Sequence, residues 1–109
     1  MAGLDGNSTA AMSFDLADDG DGGVTVTISG ELDITNVDGL ESAMRAALER
    51  HPGTLIIEVS GLRFADSSAI ALWVRWSTAV HEIELRDVSP ILRRVIDSMG
   101  LADTLNVKP

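Results

Sequence analysis

The segment LIIEVSGLRFADSSAIAL, residues 55–72, changes its pattern halfway along its length. Its first part belongs to a short apolar run, TLIIEV at 54–59, which is rich in β-branched residues and predicts a buried strand. Its second part begins a helix that we expect to span roughly Ser68 to Thr78. The apolar residues of this helix recur at helical spacing: Ile70, Trp73, Val74 and Trp76. The polar triplet Asp66-Ser67-Ser68 therefore marks a junction between a strand and a helix.

The residues before this segment predict a strand followed by a helix. VTVTIS at 24–29 alternates strictly between apolar and polar residues, which is typical of a half-buried strand. Residues 30–53 then change to helical spacing, with one apolar face: Val37, Leu40, Met44, Ala47 and Leu48. We expect Thr35 to cap this helix and Pro52 and Gly53 to end it. With the strand at 54–59, this forms a βαβ unit in which the two strands should be parallel.

The two ends of the chain add further elements to this unit. SFDLA at 13–17 and the turn DDGDGG at 18–23 predict an N-terminal β-hairpin with the next strand. IELRDV at 83–88 predicts another strand, and Ser89 and Pro90 suit the start of a third helix. The apolar face of that helix is expected to comprise Leu92, Val95, Ile96 and Met99.

We expect Gly100 to follow the third helix and TLNV at 104–107 to form a last edge strand. The predicted fold class is therefore α/β, a sandwich of helices packed on a mostly parallel sheet. We expect a single domain over residues 13–109, preceded by a flexible tail over residues 1–12, which are small, polar and aperiodic.

Composition excludes some classes of partner. The chain has 109 residues and a formal net charge of −9, which disfavours direct contact with nucleic acid or anionic membranes. It contains no cysteine, no apolar run near the roughly 18 residues of a membrane span, and no pattern typical of a secretory signal. We therefore expect a cytoplasmic protein.

Three pieces of the sequence, in order, resemble one known family. They are ISGELDITN at 28–36, LIIEVSGLRFADSSAIAL at 55–72 and LRDVSPILRRVIDSMGLADTL at 85–105. Together they are similar to the anti-sigma factor antagonists of bacteria, which have the STAS fold. The resemblance implies a STAS-type sandwich and a mechanism of partner switching. In that mechanism the antagonist binds an anti-sigma factor, which is also a serine kinase, and thereby frees a sigma factor.

The resemblance also implies a phosphorylation site. The kinase phosphorylates one serine at the start of the second helix, the antagonist is released, and a phosphatase resets it; the matching serine is Ser67, with Ser68 as the alternative. We expect a phosphate there to meet unsatisfied backbone N–H groups of the helix N-terminus. The residues expected to bind the partner are Glu31, Asp33, Asp66, Ser67, Ser68 and Ala69.

Other interpretations of these residues stay open. Asp66, Ser67 and Ser68 could simply cap a helix, since Asp and Ser are among the preferred N-cap residues. Ala69 departs from the family pattern, which usually has glycine at that position. Single STAS domains also serve as subunits of lipid-transporting ABC complexes, which is the alternative function. An enzyme that uses Ser67 as a nucleophile would need a positioned base, and none is evident.

The remaining polar and aromatic features favour structural roles. DDGDGG lacks the later bidentate glutamate of a calcium loop, and His51 and His81 have no partner at ligand spacing. We therefore expect no metal site. The sequence also lacks the motifs G-x-S-x-G, G-x-x-x-x-G-K-[ST] and G-x-G-x-x-G, so we expect no cofactor and no enzymatic activity. Trp73 is expected in the core; core packing is also the default for Trp76, although a partly exposed contact role is the alternative.

Overall fold

The computed structural model describes residues 12–108, which form one mixed sheet and three helices. The strands are β1 (Met12–Asp18), β2 (Gly23–Leu32), β3 (Thr54–Ala65) and β4 (Glu82–Arg86), in the spatial order β1-β2-β3-β4. The helices are α1 (Val37–Glu49), α2 (Ser67–Ser77) and α3 (Pro90–Ser98). β1 is antiparallel to β2, whereas β2, β3 and β4 are parallel. The predicted α/β class and N-terminal hairpin are confirmed.

The two ends of the chain differ from expectation. The predicted last strand at 104–107 is wrong, because this segment forms turns and only Val107 makes a single parallel bridge, to Leu85. Within the turns Leu105 N–H donates to Leu101 C=O, and at the bridge Leu85 N–H donates to Asn106 C=O while Lys108 N–H donates to Leu85 C=O. Of the predicted tail, residues 1–11 lie outside the described residues, while Met12 is buried and opens β1.

The start of α1 also differs from the prediction. Its N-cap is Asn36, not Thr35, and the Asn36 side chain makes no capping hydrogen bond to the helix. Thr35 instead donates its hydroxyl to Asp33 Oδ1 at 2.5 Å. The Asn36 side chain is buried and bridges the preceding loop, accepting from Asp33 N–H at 3.0 Å and donating to Glu31 C=O at 2.9 Å. Asn36 thus fixes the loop between β2 and α1.

The core consists of one cluster of buried side chains from the sheet and all three helices. Trp73 and Trp76 lie within it at 0% and 2% exposure, so the alternative of an exposed contact role for Trp76 is wrong. Residues that alternate with the buried ones on β2 are only half-buried: Thr25, Thr27 and Ser29. In the described part of the chain, no helix is long and apolar enough to cross a membrane.

β3 contains two irregularities in its pairing with β2. Between the pairs Thr27–Glu58 and Ser29–Gly61, and again between Gly30–Leu62 and Glu31–Phe64, β3 has one more residue than β2. Each extra residue reverses which face the following side chains occupy. The buried positions accordingly change from Leu55, Ile57 and Val59 to Leu62, and Phe64 turns outward to 51% exposure.

α3 begins as predicted but does not bury its whole apolar face. Ser89 Oγ accepts from Leu92 N–H at 3.2 Å, and Pro90 is the first helical residue. Leu92 and Ile96 are buried, whereas Val95 and Met99 remain 41% and 47% exposed. The prediction that all four side chains face the core is therefore correct only for Leu92 and Ile96.

Candidate functional site

The Asp66-Ser67-Ser68 turn lies at the carboxyl end of β3, beside the loop that joins β2 to α1. Parallel strands bring these two ends to the same edge of the sheet, where ligands of α/β proteins commonly bind. Asp66 N–H donates to Leu32 C=O at 3.2 Å, and Asp66 Oδ2 accepts from Ile34 N–H at 3.2 Å. The two loops therefore form one connected surface.

Asp66 is the N-cap of α2. Its Oδ1 accepts from Ser68 N–H at 2.9 Å and from Ala69 N–H at 3.2 Å, and its carbonyl accepts from Ile70 N–H at 3.3 Å. The N–H groups of Ser68, Ala69 and Ile70 thus already have acceptors. The expectation that a phosphate on Ser67 would meet unsatisfied N–H groups there is therefore wrong for Ser68 and Ala69, because the neighbouring carboxylate occupies both.

Ser67 is exposed as the first residue of α2. Within residues 12–108 its hydroxyl makes no hydrogen bond, so nothing in that part of the chain shields it or holds it. Ser68 is half-buried, and Ala69 is fully buried. The Ala69 methyl group thus faces the core and is not part of the accessible surface.

Glu31 lies at the end of β2, where it pairs with Phe64 of β3, and Asp33 lies on the loop that follows β2. Asp33 Oδ1 accepts from both the hydroxyl and the N–H of Thr35, at 2.5 and 2.9 Å, and these bonds lower the pKa of Asp33. Glu31 is 3.9 Å from Arg63, which is a weak, exposed ion pair. With Asp66, the surface around Ser67 carries three carboxylates and one guanidinium.

The sequence did not single out Asn36 or Ile34 as parts of this site. Asn36 shapes the loop from inside, and Ile34 bonds to Asp66 through its backbone while its side chain is 69% exposed. For Ile34, the only signal in the sequence was its large aliphatic side chain between the polar residues Asp33 and Thr35.

The two histidines lie away from this surface. His51 precedes β3 and His81 precedes β4, so both lie at the amino ends of the parallel strands, opposite Ser67. The side chains of Asp18 and Asp21 accept from the backbone of the β1–β2 turn. In the described portion of the chain, no three His, Cys, Asp or Glu side chains are grouped to hold a metal ion.

Comparisons with known proteins agree with this architecture. The family described as "Mlab, STAS domain" matches residues 16–107. A crystal structure of an anti-sigma factor antagonist from Mycobacterium paratuberculosis has a TM-score of 0.82 at 24% identity, covering 94% of this chain and 90% of that one. No curated protein sequence matches.

Two further solved structures are of one protein in two states. The anti-sigma factor antagonist SpoIIAA in its unphosphorylated form has a TM-score of 0.76 at 24% identity, covering 89% of each chain. The Bacillus cell fate determinant SpoIIAA in the phosphorylated form has a TM-score of 0.70 at 24% identity, covering 89% of this chain and 92% of that one. These likenesses concern the fold, and the family match extends over most of the sequence. The chain belongs to the STAS domain family.

Proposed function

We propose that this protein is an anti-sigma factor antagonist that binds an anti-sigma factor through the Ser67 turn and releases it when Ser67 is phosphorylated. The anti-sigma factor is proposed to be the serine kinase, and a phosphatase restores the binding form. The observation that carries the proposal is the exposed Ser67 hydroxyl, which has no hydrogen bond within residues 12–108. The fold is also shared with anti-sigma factor antagonists, one of them solved in both phosphorylation states.

A phosphate on Ser67 would change the charge of the surface more than its shape. It adds about −1.5 to −2 charge at neutral pH beside Asp66 and the carboxylates of Glu31 and Asp33. Because Asp66 already occupies the N–H groups of Ser68 and Ala69, these two helix donors are not free to pair with a phosphate. In a desolvated interface such an unpaired charge costs several kcal/mol. A loss of about 4 kcal/mol weakens binding roughly a thousandfold.

The same geometry lets the protein keep its fold after modification. The Ser67 hydroxyl supports no contact within residues 12–108, and negative charge near a helix N-terminus is favourable. Ser68 is the weaker acceptor because it is half-buried, so a kinase reaches it less readily. The proposal gives this chain a regulatory role without catalysis and places it in the bacterial cytoplasm, where sigma factors act.

The proposal is tested by purifying tagged variants from native cells and identifying both the captured proteins and the phosphorylated peptides by mass spectrometry. We expect the wild type to capture an anti-sigma factor of kinase fold and to carry phosphate on Ser67. Ser67→Ala should retain that partner persistently, whereas Ser67→Glu should lose it. Ser42→Glu, which adds the same charge at an exposed position on α1, is the matched control and should bind like the wild type.

Two outcomes would contradict the proposal. Equal capture by Ser67→Ala, Ser67→Glu and the wild type would remove Ser67 from the mechanism. Capture of a transporter ATPase in place of an anti-sigma factor would favour the subunit role in a lipid-transporting ABC complex.

A further inference from the structure

A groove of about 440 Å³ lies between the end of β3 and α3, next to the Ser67 turn. Its apolar lining comprises Leu62, Phe64, Ala65, Ile91, Leu92 and Val95. We propose that an extended, apolar segment of the anti-sigma factor docks in this groove while another part of that protein contacts Ser67. This inference rests on the proposed function, which it deepens by adding a second contact region.

The groove exists because β4 is shorter than β3. β4 pairs only with Thr54–Glu58, so residues 59–65 of β3 have no strand on that side within the described part of the chain. The first turns of α3 lie across the gap, since Ser89, Ile91 and Leu92 line its other wall. A strand edge left open beside an apolar wall suits an added extended segment, which bonds through its backbone and inserts alternate side chains.

The second irregularity in β3 places an aromatic side chain in this groove. The extra residue in β3 between Leu62 and Phe64 turns Phe64 away from the core, to 51% exposure. Irregularities of this kind often redirect side chains beside functional sites. Phe64 therefore provides an aromatic anchor of the type that is enriched in the centres of protein interfaces.

Half of the exposed large hydrophobic side chains in the described residues line this groove. Among residues 12–108, six large hydrophobic side chains are exposed, and Phe64, Ile91 and Val95 all line the groove. Met99 is the C-cap of α3, and Ile34 bonds to the Ser67 turn through its backbone; neither side chain lines the groove. Leu16 lies farthest along the sheet order from the groove, on β1 at the opposite edge.

Two features identify the occupant as the protein that also contacts Ser67. The first is continuity, because Ala65 lines the groove and Asp66 and Ser67 follow it directly in the chain. The second is charge, because Arg63 is the only charged residue among the described residues that line the groove, and its side chain is 71% exposed. The docking segment should therefore carry apolar side chains and a carboxylate near Arg63.

The test uses the purified anti-sigma factor captured in the preceding experiment, with binding measured by calorimetry. Ile91→Asp and Phe64→Ala should each weaken binding by about 30-fold or more, the loss typical of interface anchors. Ile91 is 76% exposed in the first turn of α3, where aspartate is compatible with the helix. Leu16→Asp, at a side chain that is 40% exposed on β1, is the matched control and should bind normally.

Hydrogen exchange tests the backbone contact separately. Binding should slow exchange at the amides of residues 60–65 but not at those of β1. Thermal unfolding of each variant, followed by circular dichroism, verifies that it remains folded.

The outcomes separate this inference from the proposed function. If Ser67→Glu abolishes binding while Ile91→Asp and Phe64→Ala bind like the wild type, the groove proposal is overturned and the Ser67 mechanism stands. If the wild type binds no anti-sigma factor, both fail. If Ile91→Asp converts a dimer to a monomer and leaves anti-sigma factor binding unchanged, a second copy of this chain occupies the groove and the proposal is likewise overturned.

Discussion

Asp66 performs two structural tasks with the two oxygens of one carboxylate. Oδ1 caps α2 by accepting from Ser68 and Ala69, and Oδ2 accepts from Ile34 N–H in the β2–α1 loop. The first task could be predicted from the sequence, because aspartate before a helical pattern is a typical N-cap. The second could not, since Ile34 lies 32 residues away and is brought close only by the parallel arrangement of β2 and β3.

Substitutions at Asp66 should separate these two tasks. Asp66→Ala removes both and should lower the free energy of unfolding by about 1–2 kcal/mol, as expected for loss of a cap. Asp66→Asn should cost less, because its carbonyl oxygen can still cap the helix while its amide cannot accept from Ile34 N–H. Urea unfolding measures the free energy, and hydrogen exchange at Ile34 should be faster in both variants.

The control for this experiment is Asp97→Ala, which truncates an exposed aspartate on α3 and should change stability by less than about 0.5 kcal/mol. Equal losses for Asp66→Asn and Asp66→Ala would show that the contact with Ile34, and not the cap, carries the stabilisation.

At the scale of the elements, β3 departs most from its sequence pattern. The apolar run at 54–59 predicted the buried first half of the strand correctly, but β3 continues to Ala65. Its second half was not predicted as a strand because SGLRF lacks regular alternation, and the two irregularities in pairing explain why. They depend on the partner strand β2, which no local pattern in residues 60–65 can reveal.

Gly61 lies directly opposite Ser29 at the first of these irregularities. A Cβ atom at Gly61 would lie 2.6 Å from Ser29 Oγ and 3.2 Å from Ser29 Cβ. Gly61→Ala should therefore lower the free energy of unfolding by about 1–3 kcal/mol, the usual cost of overpacking. Ser29→Ala removes the closest atom and should recover part of that loss in the double variant, as measured by a urea double-mutant cycle.

A second glycine gives the matched control for this prediction. Gly39 lies in α1, and a Cβ atom added there would meet nothing within 4 Å apart from the backbone of its own helix. Gly39→Ala should therefore stabilise the protein by about 0.5–1 kcal/mol. Additive effects of Gly61→Ala and Ser29→Ala would contradict the proposed steric contact.

At the scale of the whole molecule, we expect a pair of acidic side chains, Glu58 and Asp87, to make stability depend on pH. The pKa of Asp87 is raised by its hydrogen bond with Glu58 and by the negative charge of Glu58. These two effects outweigh the positive charge of Arg86, which lowers the pKa of Asp87. Burial alone would raise the pKa of Glu58, but hydrogen bonds from Asp87 and Ser60 lower it. The pair joins β3 to the residue that follows β4, in a protein with a net charge of −9.

The directions of the two pKa shifts give opposite effects on stability. The contribution of Asp87 is fully present below the ordinary aspartate pKa of about 4 and is lost as pH rises through its raised folded value. The contribution of Glu58 is present above the ordinary glutamate pKa of about 4.3 and is lost as pH falls through its lowered folded value.

Asp87→Asn should therefore stabilise the protein more at neutral pH than in acid. The amide can still donate to Glu58 but never ionises beside it, and asparagine tolerates the left-handed backbone at this position, where φ is +60°. Urea unfolding of variant and wild type from pH 3 to 7 should show a stability difference that grows as pH rises. Asp97→Asn controls for net charge, and a difference for Asp87→Asn that is independent of pH would contradict the pairing with Glu58.

The sequence by itself determined the order of most elements, the α/β class, the apolar faces of α1 and α2, and the position of Ser67 at a strand–helix junction. These features depend on local spacing and on short-range capping, which the chain encodes residue by residue. The tertiary structure alone decided that Asp66 holds the Ile34 loop, that Phe64 faces outward and that α3 leaves half of its apolar face uncovered. Those features depend on the pairing of β3 with β2 and on the early end of β4, which are contacts between distant segments.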